Sequence, residues 1–160
     1  AADHGEEFGD HGATHHGQAL YEESTHIPLL MILPSGPSRV VTTPVSLLDL
    51  APTIIDLLGL EVSTPESWKG RTLAPYVMGE MVPRPFPVYL EAYRPGGKQR
   101  TYGLVMGDHK FVYRPALELF ELYDLASDPG ESRNLAGLPA GEAVEPTLRG
   151  LLDLHLAVDY

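Results

Sequence analysis

Thr101-Tyr102-Gly103-Leu104-Val105-Met106-Gly107-Asp108-His109-Lys110-Phe111-Val112-Tyr113-Arg114 decides how the second half of the chain is read. The runs Thr101–Met106 and Lys110–Arg114 are rich in β-branched and aromatic residues, and Gly107-Asp108 between them is a hairpin signal. Working outward, Phe86–Tyr93 and Leu117–Tyr123 are two further strand-like runs, set off by Pro95-Gly96-Gly97 and by Arg114-Pro115. Asp124 to Leu138 reads as loop, with a turn at Asp128-Pro129-Gly130. Glu142 to Ala157 then places Val144, Leu148, Leu151, Leu152, Leu154 and Leu156 at broadly helical spacing. The expectation is an antiparallel meander of about four strands closed by a C-terminal helix.

The first half has a different texture. Ile27-Pro28-Leu29-Leu30-Met31-Ile32-Leu33 is a continuous apolar run of the kind that fills a strand buried on both faces of an α/β sheet. Pro34-Ser35-Gly36-Pro37-Ser38 ends it. Ser46 to Leu58 predicts a helix: Ser46 and Asp49 make a capping-box-like start, and Leu47, Leu50, Ile54, Leu57 and Leu58 form an apolar stripe. Gly59 stands at the expected C-terminal cap. Pro52 inside this segment predicts an irregular first turn, with regular helix from about Pro52. Residues 61 to 75 read as loop, anchored by Trp68. The fold class is therefore α/β, or α+β for this piece taken alone: the edge of an α/β sheet, then a small antiparallel sheet with its helix. The boundary is drawn between 1–80, carrying the loop, the buried strand and the helix, and 81–160, carrying the antiparallel subdomain.

Composition restricts the function. The 160 residues are 43% hydrophobic and 21% charged, as in globular chains, with a net charge of -11. With no basic stripe to neutralise phosphates, nucleic acid is excluded as a partner. No apolar run reaches the length of a membrane-spanning helix, and cysteine is absent, so no disulfide framework exists.

The densest chemistry is at the start: Asp3-His4-Gly5-Glu6-Glu7-Phe8-Gly9-Asp10-His11-Gly12, then His15-His16-Gly17. Five of seven histidines (His4, His11, His15, His16, His26) fall in the first 26 residues, with carboxylates between them. Such a set of oxygen and imidazole donors can hold a divalent cation and handle protons. A solvated, tag-like terminus is the other reading, opposed by regularly placed glycines and by Phe8 and Leu20. Glu6, Glu7 and Asp10 are expected to be solvated loop charges, one of them backing a histidine. His11 and His26 are expected to be structural or surface groups, and Tyr21 a core anchor. Asp124, Asp128, Glu131 and Asn134 are expected to serve turns and caps.

Several ordered strings resemble the sulfatase family of the alkaline-phosphatase superfamily. Asp3-His4-Gly5-Glu6 through Gly9-Asp10-His11-Gly12 resembles the family's second metal-binding motif. His16-Gly17, Leu20-Tyr21-Glu22-Glu23 and Ile27-Pro28-Leu29 are similar to the segment after it, and Ser46 to Thr53 to the helix that follows. Gly70-Arg71-Thr72-Leu73 with Pro75 and Gly79 matches another recurring string. Glu121-Leu122-Tyr123-Asp124-Leu125 with Asp128-Pro129, Glu131 and Asn134-Leu135 is similar to the C-terminal signature. The family's Cys/Ser-x-Pro-Ser-Arg motif, source of the formylglycine nucleophile, has no counterpart here. Pro34 to Arg39 comes nearest, in the wrong order and place. The resemblance thus implies roughly the C-terminal third of a sulfatase, with half a metal site and no nucleophile.

By that resemblance Asp3 and His4 are metal ligands. Calcium is favoured by the family's Asp-Asn sites, while the imidazole of His4 leaves manganese, magnesium and zinc open. His16 is the expected catalytic residue, contacting sulfate or protonating the leaving oxygen, with His15 next in line. Arg94 and Lys98, with Arg100, flank the Pro-Gly-Gly turn as candidate contacts to an anionic substrate. The implied partners are a sulfate-ester small molecule or sulfated glycan, and the N-terminal part of the same protein. Relatives are commonly exported, so a periplasmic, extracellular or membrane-anchored location is expected. Phosphoester or phosphonate hydrolysis, or phosphoryl transfer, is the alternative within the superfamily. A non-catalytic scaffold or interaction module is the alternative outside it, and this piece alone is expected to be inactive.

Overall fold

The computed structural model describes residues 1–17, 19–63, 65–80, 86–93 and 100–159. Its residues group into two compact units, 1–29 with 87–160, and 30–86.

The larger unit is built on the predicted meander. Strands β1 (Val88–Tyr93), β2 (Arg100–Met106), β3 (His109–Arg114) and β4 (Leu119–Asp124) pair antiparallel in the order β1-β2-β3-β4. Met106 pairs with His109 across a two-residue loop, and Gly107 has a φ of +59°. A positive φ at the first loop position suits a hairpin turn whose twist matches the strands, which explains the glycine there. Register puts Leu104, Phe111 and Leu122 side by side on one face. Helix α4 (Glu145–Asp159) covers that face with Leu148 and Leu152, and these five residues are the core. Arg149 extends the cover, its guanidinium 3.7 Å from the Phe120 ring centroid while it pairs with Glu145 at 2.8 Å. Leu154, part of the predicted stripe, faces outward.

Because strand residues alternate, the opposite face carries Gly103, Val105, Lys110, Val112, Glu121 and Tyr123. The N-terminal segment, with the single-turn helix α1 (Glu22–Thr25), lies against it. Leu20 is buried, and a Cβ placed on Gly103 would come within 3.1 Å of its Cδ1. Close backbone approach therefore accounts for a glycine inside β2.

In the smaller unit a 3-10 turn at Leu47–Asp49 runs into α2 (Leu50–Leu57), and α3 covers Ala74–Met78. The Ser46–Asp49 capping box is present: Ser46 Oγ accepts from Leu48 N, and Asp49 Oδ2 accepts from Ser46 N at 2.9 Å. Pro52 falls in the first turn of α2, where its missing N–H costs nothing, and Gly59 takes the left-handed conformation just past the helix. The buried side of α2 is Thr53, whose hydroxyl donates to Asp49 O and accepts from Leu73 N. Ile54, Leu58 and Leu47 are exposed, so the apolar stripe is not the buried face within this unit.

Two expectations fail here. Ile27 to Leu33 forms no strand, and Leu30 and Ile32 are exposed. A doubly buried strand needs a hydrogen-bonded neighbour on each side, and all four strands of the sheet pair among themselves. Trp68 is 42% exposed, so it is not a buried anchor.

Candidate active site

The sequence after Ala2 builds its site by local turns. Asp3 Oδ1 accepts the His4 backbone N–H at 3.1 Å, which leaves Oδ2 open. His4 Nδ1 lies 2.8 Å from Gly5 O; a carbonyl oxygen only accepts, so Nδ1 is the donor and Nε2 is the nitrogen available to a cation. Nε2 and Asp3 Oδ2 are 3.8 Å apart. That spacing is below twice a metal–ligand bond of about 2.2 Å, so one cation can touch both. A ring nitrogen anchored on a backbone carbonyl is also the usual way a ligating imidazole is held. The pair fits a divalent cation as two ligands of a larger set. Among the described residues no group of three or more acidic, histidine or cysteine side chains is gathered to complete it.

His16 joins this pair from twelve residues away. Its ring stacks on His4 with centroids 3.9 Å apart. Glu6 holds it twice: Oε1 accepts the His16 backbone N–H at 2.7 Å, and Oε2 lies 3.0 Å from Nδ1. The Nδ1–H points into the carboxylate and Nε2 faces away. The hydrogen bond from the His16 ring is the main cause that holds the Glu6 carboxyl below its ordinary range, so Glu6 is ionised where this pair operates. Asp3, His4 and His16 therefore come together, and Glu6 is the carboxylate that backs a histidine. His15 is exposed and makes none of these contacts. Arg94 and Lys98 lie outside the described residues, while Arg100 pairs with Glu91 at 2.8 Å.

Below the site the sequence reading needs correction. Glu7 is not a solvated charge: it is fully buried, its Oε1 accepting from Ser24 Oγ at 3.3 Å. His11 is half-buried, with Nδ1 2.9 Å from Glu23 Oε1 and its ring stacked on Tyr21 at 3.7 Å. Tyr21 in turn donates to Glu121 and accepts from Arg114 at 3.0 Å, and burial pushes its hydroxyl above the ordinary tyrosine range. Glu131 is not a turn residue alone. With Lys110 it forms a fully buried ion pair, Nζ to Oε1 at 2.8 Å, and Glu22 Oε1 approaches the same ammonium at 2.7 Å. Lys110 was invisible to sequence reasoning, because a lysine in a strand ordinarily marks a solvated face; its only signal was alternation with buried Phe111. Asp124, Asp128 and Asn134 do serve turns: Asp128 accepts from Ser132 and Arg133 backbone N–H, and Asn134 Oδ1 from Leu122 and Ala136.

The chain resembles known proteins over nearly its whole length. Residues 9–156 match the family described as N-sulphoglucosamine sulphohydrolase, C-terminal. It is 33% identical to the choline-sulfatase of Rhizobium meliloti over 98% of its own length and 30% of that protein's. A 2-O GAG sulfatase structure superposes with a TM-score of 0.83 at 28% identity, over 98% of this chain and 35% of the other. The phosphonate monoester hydrolase of Silicibacter pomeroyi does so with a TM-score of 0.74 at 29% identity, over 98% and 33%. The chain thus spans about a third of the length of these relatives. From the antiparallel sheet with its closing helix and these likenesses together, it follows that the chain belongs to the N-sulphoglucosamine sulphohydrolase C-terminal family.

Proposed function

We propose that the protein carrying this chain hydrolyses sulfate esters, with Asp3, His4, Glu6 and His16 as this chain's share of the active site. The observation that carries it is the convergence of two cation donors and a carboxylate-backed imidazole within stacking distance. Asp3 Oδ2 and His4 Nε2 would hold a divalent cation, which when bound withdraws charge from a sulfate oxygen. His16 presents Nε2 to contact the sulfate or to give a proton to the leaving oxygen, and Glu6 fixes the direction in which that nitrogen points. Sulfatases generally add a formylglycine nucleophile, which no residue of this chain supplies. The likeness to choline-sulfatase and to a 2-O GAG sulfatase supports a sulfated small molecule or glycan as substrate. Calcium suits the carboxylate, and the His4 nitrogen equally suits manganese or zinc.

The likeness to a phosphonate monoester hydrolase supports a second reading, hydrolysis of a phosphonate or phosphate ester at the same site. Assaying the full-length protein on paired aryl sulfate, aryl phosphate and phosphonate monoester substrates separates them. Preference for the sulfate, lost in Asp3→Ala and His16→Ala, is expected. Preference for a phosphorus ester would overturn the first reading, and parent-like turnover by His16→Ala would remove His16 from the mechanism. The present chain alone is expected to hydrolyse nothing and to bind calcium weakly, because two ligands give little chelation; tight stoichiometric binding by calorimetry would contradict this.

A further inference from the structure

The sheet and the candidate site are joined by a continuous path of contacts. Glu131 follows β4 and stands at its start. Its Oε2 accepts the Glu22 backbone N–H at 2.6 Å, fixing the first turn of α1. Its Oε1 pairs with Lys110, whose Nζ also reaches Leu20 O at 2.8 Å and Thr25 Oγ1 at 3.2 Å. Both ends of α1 are thus tied to one ammonium on β3. From α1 the path continues to the site: Ser24 O accepts the Gly5 N–H at 2.9 Å, and Gly5 O receives the His4 Nδ1–H. Gly5 has no alternative here, because a Cβ would run into the Glu23 carbonyl oxygen.

Two costs mark Glu131 as more than a convenient loop residue. Its backbone sits at φ +48°, a left-handed conformation that a side-chain-bearing residue adopts at a penalty. Its carboxylate is also withdrawn from water, and burial raises its pKa despite the opposing pull of Lys110. A surface turn at Asp128-Pro129-Gly130 requires neither.

Resting on the active-site reading above, we propose that Glu131 and Lys110 are positioning residues, which hold α1 so that Gly5 fixes His4 as the Nδ1–H tautomer with Nε2 turned toward the cation position. They touch no reacting atom. The C-terminal signature of the sequence then acts on the N-terminal motif through three hydrogen bonds and one ion pair.

Glu131→Gln tests this with little change of shape. An amide has one acceptor oxygen where the carboxylate uses two. It can accept from Glu22 N–H or from Lys110, and its NH2 then faces the other donor. In the full-length protein, amide exchange and ring 15N spectra read the effect. In the parent, the Gly5 amide is expected to be protected and His4 to show the Nδ1–H signature. In Glu131→Gln, the Gly5 amide should exchange about tenfold faster and His4 should lose that signature, with Leu104 and Phe111 amides unchanged. Gly5→Ala should produce the same loss at His4 while Glu131 and Lys110 stay in place. Glu145→Gln, which removes another carboxylate that accepts a backbone N–H, should leave Gly5 and His4 as in the parent. A parent-like His4 tautomer in both Glu131→Gln and Gly5→Ala overturns the proposal. So does acceleration of Gly5 and the core amides by one common factor, which would make Glu131 a general stabiliser. None of these readouts uses turnover, so a failed sulfate assay and a failed tether are told apart.

Discussion

Replacing Lys110 by methionine tests whether the buried ammonium holds the N-terminal segment to the sheet. Methionine keeps most of the apolar stem and removes the ammonium, with its charge and its N–H donors. Lys110 is 0% exposed, and its Nζ meets Glu131 Oε1, Glu22 Oε1, Leu20 O and Thr25 Oγ1. Without it, the Glu131 carboxylate is left fully buried with no counter-charge. Removing one partner of a buried pair in this way costs about 3–5 kcal/mol, a large part of the roughly 5–15 kcal/mol that holds a domain together. Urea unfolding followed by circular dichroism reads this directly. The pH dependence provides a second check. Burial raises the Glu131 pKa and Lys110 opposes the rise, so loss of Lys110 raises it further. An acid whose folded pKa exceeds its unfolded value binds more protons when folded, so its contribution to stability falls as pH rises between the two. The deficit of Lys110→Met should therefore be small in acid, where Glu131 is neutral in both states, and grow as pH rises through and above the carboxylate range. Adding Glu131→Gln should recover part of it, because only Glu22, 21% exposed, then retains a charge. A deficit under about 1 kcal/mol at neutral pH, or one that grows in acid, would refute the reasoning.

Other consequences are more local. Glu6→Gln removes the ionised acceptor at His16 Nδ1; kcat/KM of the full-length protein should drop about tenfold or more with the melting temperature unchanged. Because the His16 hydrogen bond depresses the Glu6 pKa, the pairing should persist as pH falls into the ordinary glutamate range and be lost only below it, checked by following the His16 backbone amide shift. Ser46→Ala breaks the capping box at the start of α2 and should lower stability by about 0.5–2 kcal/mol, read by denaturant titration. Phe111→Ala empties the centre of the core beneath α4 and should cost about 3–5 kcal/mol by the same measurement.

The sheet was legible because its signals are local. Four strand runs, a Gly-Asp hairpin and a closing helix each depend on a few neighbouring residues, and the register follows from alternation once the turn is placed. The capped helix at Ser46 was legible for the same reason. Ile27 to Leu33 misled because its strand-like composition describes a surface to be buried, and burial depends on neighbours that the sheet of this chain does not provide.

The sequence by itself determined which chemistry stands near the N-terminus: carboxylate and imidazole donors among glycines, in an order that resembles sulfatases. Only the tertiary structure decided which of them act together. Glu6 reaches His16 across ten residues, Ser24 O holds Gly5 across nineteen, and Lys110 lies 88 residues from Glu22 in sequence yet 2.7 Å from it in space. An ion pair of that separation has no local signature, because the low-dielectric surroundings that strengthen it are created by the fold itself. For that reason Glu7 reads as a solvated charge in sequence, Glu131 as a turn residue and Lys110 as an ordinary strand residue. The same residues are buried in the folded protein.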